Sequence, residues 1–194
     1  EVPFPGAIDD CSAATAWIAS SAAELGIDAD RIAVGGDSAG GNLAACTAVR
    51  SQESGLSFLF QLLIYPVIAA KFDSTSYIDY AEGYHLSRSA MQWYWDCYVP
   101  SAGQRTDPGV SPIHATNLSG LPPALIITAE YDTLRDEGEA YGAALNSAGV
   151  VVETKRYDGL FHVFFNMPTD VPVEVVLASS SDAVGALRKA FDAV

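Results

Sequence analysis

Arg31-Ile-Ala-Val-Gly-Gly-Asp-Ser-Ala-Gly-Gly-Asn-Leu43 is the stretch from which the rest of the chain can be read. The apolar run Ile32–Val34 has the composition of a buried strand, and Leu43, Ala44, Ala45, Ala48 and Val49 suit a helix. Between them, Gly36-Asp37-Ser38-Ala39-Gly40 has room only for a sharp turn. The stretch therefore reads as strand, turn and helix, with Ser38 at the apex. Glycine at 36 and 40 has a steric reason, since a side chain at either is expected to collide with the neighbouring strand or helix. A helix starting at Ser38 also points its free N–H groups and the positive end of its dipole at the space beside the hydroxyl.

Upstream of this turn, Glu1–Gly6 is proline-rich and extended. Ile8, Cys11, Ala14, Trp17, Ile18, Ala22 and Leu25 then keep a helical period over Ala7–Leu25, which Gly26 ends. Ile27–Asp30 turns into the strand Arg31–Val34. Downstream, the helix runs from about Ser38 to Gln52, and Leu56–Ile64 is a nearly unbroken apolar strand closed by Tyr65-Pro66. Ala70–Glu82 is polar and irregular, and Ser87 caps an aromatic helix through Met91, Trp93, Tyr94, Trp95 and Tyr98. Such an aromatic stripe is core or pocket wall, and it is assigned to neither here. Pro100–Leu121 is a long loop, Ala124–Ala129 a second fully apolar strand, and Glu130–Leu134 its C-terminal turn. Arg135–Ala148 is an amphipathic helix stopped by Gly149. Val150–Tyr157 alternates like an edge strand, Asp158-Gly159 makes a turn, and Ser181–Ala193 is a last helix.

Four strands alternating with helices give an α/β fold with a parallel sheet flanked by helices. Right-handed crossovers that progress one way place the helices after the first three strands on one face. Only Ser181–Ala193 is then left for the other. Two strands apolar on both sides need more cover than that, so part of the sheet is expected to lie outside this chain. The 194 residues make one domain, spanning 1–194 and expected to be incomplete. The first residue is Glu1 rather than methionine, which fits a removed start or an absent upstream part.

An apolar content of 49% with 18% charged residues is that of a packed globular protein. The net charge of −14 argues against nucleic acid or an anionic membrane as partner. No apolar run approaches the roughly 20 residues of a membrane span, and no signal-peptide pattern is present. Cys11, Cys46 and Cys97 are odd in number, widely spaced and not clustered with histidine. No metal or cofactor is expected, and reduced cysteines point to the cytoplasm.

Gly-x-Ser-x-Gly between a strand and a helix is the pattern of a nucleophile elbow. A serine hydroxyl needs a neighbouring base, itself oriented by a third group. Of the three histidines, His85 precedes a helix and His114 lies in a proline-flanked loop, both surface or capping positions. His162 follows the last strand, beside Asp158-Gly159 and among Phe161, Val163, Phe164 and Phe165. Loops at strand C-termini are where open α/β sheets place ligands, so His162 is the favoured base, with packing among aromatics as the alternative. For the acid, Asp132 follows Ala124–Ala129 by three residues. Asp136 and Glu137 lie in the first turn of the next helix, Glu130 is expected to point back along its strand, and Asp158 suits a turn. Asp132 is favoured.

The segments Gly36-Asp-Ser-Ala-Gly-Gly-Asn42, Leu121-Pro-Pro-Ala124, Ala129-Glu-Tyr-Asp-Thr-Leu-Arg-Asp-Glu-Gly138 and Gly159-Leu-Phe-His162 closely resemble the hormone-sensitive-lipase-like carboxylesterases of the α/β-hydrolase superfamily. Glu1 to Asp10 also resembles the segment that precedes the elbow in that family. The resemblance implies Ser38 as nucleophile, His162 as base and Asp132 as its orienting acid. It also implies a serine carboxylesterase acting on small, short-chain acyl esters. Thr133 stands where the family usually has proline, and Val163 where glycine is common. Family members also carry a cap, the first half of the sheet and a His-Gly-Gly-Gly loop before this point. That loop supplies oxyanion N–H groups, and here only the Ala39 N–H can be named. The chain is thus expected to be the C-terminal part of the fold, weak or silent alone. A complementing N-terminal segment or a second copy would complete it. A ligand-binding protein without catalysis is the other class of reading.

Overall fold

A computed structural model describes residues 2–166 and 172–193. Its sheet has four parallel strands in the order β1 (Ala33–Asp37), β2 (Phe60–Ile64), β3 (Ala124–Tyr131) and β4 (Val152–Phe161). Pairing decides where each strand stops. β1 runs on through both glycines because Gly35 and Gly36 pair with Leu62 and Leu63, so it ends at Asp37 rather than Val34. β2 is only the last part of the expected Leu56–Ile64 run, since pairing with β1 starts at Phe60.

The largest difference lies in β4. Asp158-Gly159 does not end the strand. Gly159, at φ +77°, sits at a register shift opposite Ala129–Tyr131, and pairing resumes at Tyr131 and Phe161. A left-handed glycine within an irregular strand pair is a bulge, which bends a strand without releasing it.

Among the described residues seven helices surround the sheet: α1 (Gly6–Ser20), α2 (Ala22–Leu25), α3 (Ala39–Ser54), α4 (Thr75–Asp79), α5 (Arg88–Tyr98), α6 (Arg135–Ser147) and α7 (Val173–Asp192). The expected Ala7–Leu25 helix breaks at Ser21, and α3 starts one residue after Ser38. α4 is a capped turn inside the segment expected to be irregular, with the Ser74 hydroxyl accepting from Tyr77 N–H. Ser87 caps α5 in the same way, as expected. The long loop holds two single 3₁₀ turns, at Ala102–Gln104 and Pro112–His114. α7 begins eight residues before Ser181.

Alternation along the strands divides the core. Leu63 and Ile126 face α3 and α6, packing on Ala44, Ala45, Ala48, Tyr141 and Leu145. Ile64, Leu125 and Ile127 face the other way with Tyr157, Leu160 and Ala183, and Leu187 of α7 packs there too. α3 and α6 thus share a face, and α7 covers the opposite one, as the crossover rule implies. α5 departs from that rule. Met91 and Trp95 pack with Val67, Tyr77 and Leu134, residues just past the C-terminal ends of β2 and β3 and on the helix between them. The helix therefore sits over the rim of the sheet. Among the described residues no helix is long and apolar enough to cross a membrane.

Candidate active site

Ser38 has φ +52° and ψ −116° and immediately precedes α3. The strand must reverse into a helix within one residue, and the glycine at 36 is what makes room. A Cβ there would lie 2.4 Å from the Gly40 carbonyl carbon and oxygen. Gly40 itself is different from expectation, because nothing lies within 4 Å of a Cβ built on it. The crowded position is Gly41, whose Cβ would meet the Pro66 ring at 2.9 Å. Gly41 therefore lets α3 seat against the Tyr65-Pro66 turn, and Gly40 has no such steric duty among the described residues.

The Tyr131–Phe161 pair sets the other half of the site. Asp132 and His162 each follow one of these paired residues, so adjacent strand ends deliver them side by side. His162 Nδ1 lies 2.7 Å from Asp132 Oδ2, and His162 Nε2 lies 2.9 Å from Ser38 Oγ. Asp132 is 1% exposed and His162 3%. A carboxylate only accepts, so Nδ1 carries the proton and Nε2 is free to accept from the Ser38 hydroxyl. The second Asp132 oxygen accepts from Leu134 N–H at 2.9 Å, which fixes the carboxylate plane.

Of the other candidate carboxylates, Asp158 is exposed, and the rest are committed elsewhere. Glu130 reaches across to β4 and accepts from Gly159 N–H at 2.6 Å, rather than pointing back along its own strand. Asp136 accepts from Ser76 N–H and pairs with Arg135. Glu137 accepts from Ile68 N–H at 2.6 Å, and burial pushes its carboxyl well above the usual range. Asp37, beside the serine, accepts from Asn166 Nδ2 at 2.9 Å and so ties the elbow to the segment after His162.

A cavity of about 610 Å³ opens over Ser38 and Ala39, walled by Met91, Tyr94 and Trp95 of α5 and by Val163. The aromatic helix is therefore core and pocket wall at once. His114 is exposed in its 3₁₀ turn. His85 is exposed but also lines the cavity, with its ring 6.0 Å from that of Phe161, so a surface assignment was incomplete. Two further residues escaped the sequence reading. Asn42 Nδ2 donates to the Val67 and Val110 carbonyls at 2.9 and 2.8 Å, tying together the loops beside the cavity. Its signal was its place one helical turn beyond Ser38. Tyr65 packs on the His162 ring, and nothing in its sequence context announced that. Cys11, Cys46 and Cys97 are free. Among the described residues no three His, Cys, Asp or Glu side chains form a metal-sized group.

A hydroxyl, an imidazole and a carboxylate in one hydrogen-bonded line, at a strained strand–helix turn on the rim of a parallel sheet, make the kind of site that can activate an oxygen nucleophile. The wider likeness agrees with that class. Residues 1–166 match a family model described as the alpha/beta hydrolase fold, and the chain belongs to that family. It is 39% identical to Carboxylesterase NlhH of Mycobacterium tuberculosis, over 100% of this chain and 61% of that protein. It is also 39% identical to an ethyl acetate hydrolase of Pseudomonas putida, over 84% of this chain and 52% of that one. A thermostable esterase structure from Pseudomonas putida superposes with a TM-score of 0.88 and 43% identity, over 97% of this chain and 58% of that one. The chain thus spans no more than about three fifths of these relatives' length.

Proposed function

We propose that this protein is a serine carboxylesterase of the hormone-sensitive-lipase-like group, acting on short-chain acyl esters. The observation that carries the reading is the unbroken hydrogen-bond line from Asp132 through His162 to Ser38, facing an apolar cavity. Ser38 Oγ attacks the ester carbonyl carbon while its proton passes to His162 Nε2. Asp132 stabilises the imidazolium that results. The tetrahedral oxyanion takes a hydrogen bond from the Ala39 N–H, the first of α3. Collapse breaks the ester C–O bond, and the Nε2 proton leaves with the alcohol. Water, deprotonated by the same nitrogen, then attacks the acyl-enzyme and releases the acid. The names of the relatives, a carboxylesterase and an ethyl acetate hydrolase among them, favour small esters.

Replacing Ser38 with alanine should reduce p-nitrophenyl acetate and butyrate hydrolysis to background and abolish labelling by a fluorophosphonate. Undiminished turnover in Ser38→Ala would reject the assignment. A second reading rests on the oxyanion side, where Ala39 is the one donor that can be named among the described residues. Losing one such donor typically costs about 10²–10³ in rate. Residues 1–194 alone would then label slowly and turn over weakly, with a complementing segment or second copy restoring the rate. Full turnover by residues 1–194 alone excludes this second reading.

A further inference from the structure

Tyr65 combines three features that the hydrolytic reading leaves unexplained. Its φ is +33°, in the left-handed region where a bulky aromatic is an outlier. It is 1% exposed, yet its hydroxyl has no hydrogen-bond partner among the described residues. Its ring centroid lies 4.7 Å from that of His162, with the planes at 59°. A left-handed backbone is strained for a bulky side chain, and a buried tyrosine hydroxyl normally finds a partner. Both penalties fall on one residue, and that residue touches the imidazole.

Strand order explains why a support is needed there. His162 leaves β4 and Ser38 leaves β1, with β2 and β3 between them. At roughly 4.8 Å per strand the two outer strands are about 14 Å apart, so the His162 side chain reaches back over the ends of β3 and β2. Asp132 and Ser38 hold the two ring nitrogens, but the ring can still tilt about the line joining them. Tyr65 stands just past the end of β2 and packs on that ring, tilted at 59° to it. Phe164 backs the Tyr65 ring at 5.8 Å, and the Tyr65 N–H donates to the Ile127 carbonyl at 2.6 Å. The same turn grips the serine: Ser38 N–H donates to Ile64 O at 2.9 Å, and Val67 N–H donates to Ser38 O at 3.2 Å. Burial, then Asp37 and Asp132, push the Tyr65 phenol up, so it remains neutral.

We propose that Tyr65 is a positioning residue whose ring, and not its hydroxyl, sets the tilt of the His162 imidazole between Asp132 and Ser38. This rests on the reading of Ser38 and His162 as nucleophile and base. In spectra of ¹³C-histidine-labelled protein, assigned by substituting each histidine in turn, the His162 ring protons should carry a ring-current shift from Tyr65. Tyr65→Phe should keep that shift and stay within about twofold of wild type in kcat, whereas Tyr65→Leu should lose it and fall on the order of ten- to a hundredfold in kcat with KM little changed. Unshifted His162 protons in the wild type overturn the proposal, and this test does not depend on Tyr65→Leu folding. Equal loss in Tyr65→Phe and Tyr65→Leu overturns it too, since the hydroxyl would then be the active part. If Ser38→Ala is silent while Tyr65→Leu keeps full kcat, the positioning role fails alone. If Ser38→Ala still turns over, the hydrolytic reading fails instead.

Discussion

Ser38, Tyr65, His85 and Val163 are the non-glycine residues of positive φ among those described. Three line the cavity and the fourth lies against the His162 ring. Left-handed strain is thus gathered where chemistry is proposed, as expected when surrounding structure holds a site in an unfavourable geometry. Val163, at φ +68°, shows why glycine is common after the histidine in the family that the chain resembles: a β-branched residue is strained there. Gly40 and Gly41 make a sharper test, because sequence pattern treats the first as essential and geometry the second. Gly41→Ala forces a Cβ to 2.9 Å from Pro66 and should destabilise by about 1–3 kcal/mol. That corresponds to a fall in Tm of roughly 2–12 °C for a chain this long. Gly40→Ala should leave the melting temperature unchanged or slightly raised, since alanine is the better helix former. Differential scanning calorimetry giving the reverse order would refute the packing argument.

At the scale of elements, the chief expectations were strand-following turns, and their fates differed for a physical reason. Tyr65-Pro66 does end β2, because proline has no N–H to give the ladder. Asp158-Gly159 does not end β4, because the Gly159 N–H finds Glu130 across the strand pair and the ladder closes again beyond it. That cross-strand bond is invisible in a local window. α6 carries a second such bond. Glu137, in its first turn, anchors the Ile68–Ala69 backbone, and desolvation raises its carboxyl while those N–H bonds oppose the rise. An unfolded glutamate loses its proton in the ordinary carboxylate range, whereas the folded one keeps it. The native state therefore binds more protons above that range, and stability falls as pH rises toward the elevated folded value. Glu137→Gln keeps an oxygen acceptor without an ionisable proton. Urea midpoints measured from pH 5 to 8 should decline less steeply in Glu137→Gln than in wild type. Identical slopes would show that Glu137 is not held neutral.

For the whole molecule, β1 has a paired edge toward β2 and an unpaired outer edge among the described residues. Val173, Leu177 and Val184 of α7 are also between 46% and 63% exposed. Residues 1–194 alone are expected to associate through such surfaces. Because each copy carries −14, association should strengthen as salt screens their repulsion. Light scattering across protein and salt concentration checks this, and a monomer throughout would count against it. The amino-acid order by itself determined the α/β class, the parallel strands and the strand–turn–helix at Ser38, and it favoured Asp132 and His162 as that serine's candidate partners. Those features are local: periodicity marks a strand or helix, a glycine-flanked serine marks a strained turn, and strand ends mark a rim. Only the tertiary structure decided that Gly41 rather than Gly40 is crowded, that α5 roofs the rim, and that Tyr65 underlies His162. Each of these depends on which side chains meet across strands distant in the chain, and a single sequence does not encode that distance in any local pattern.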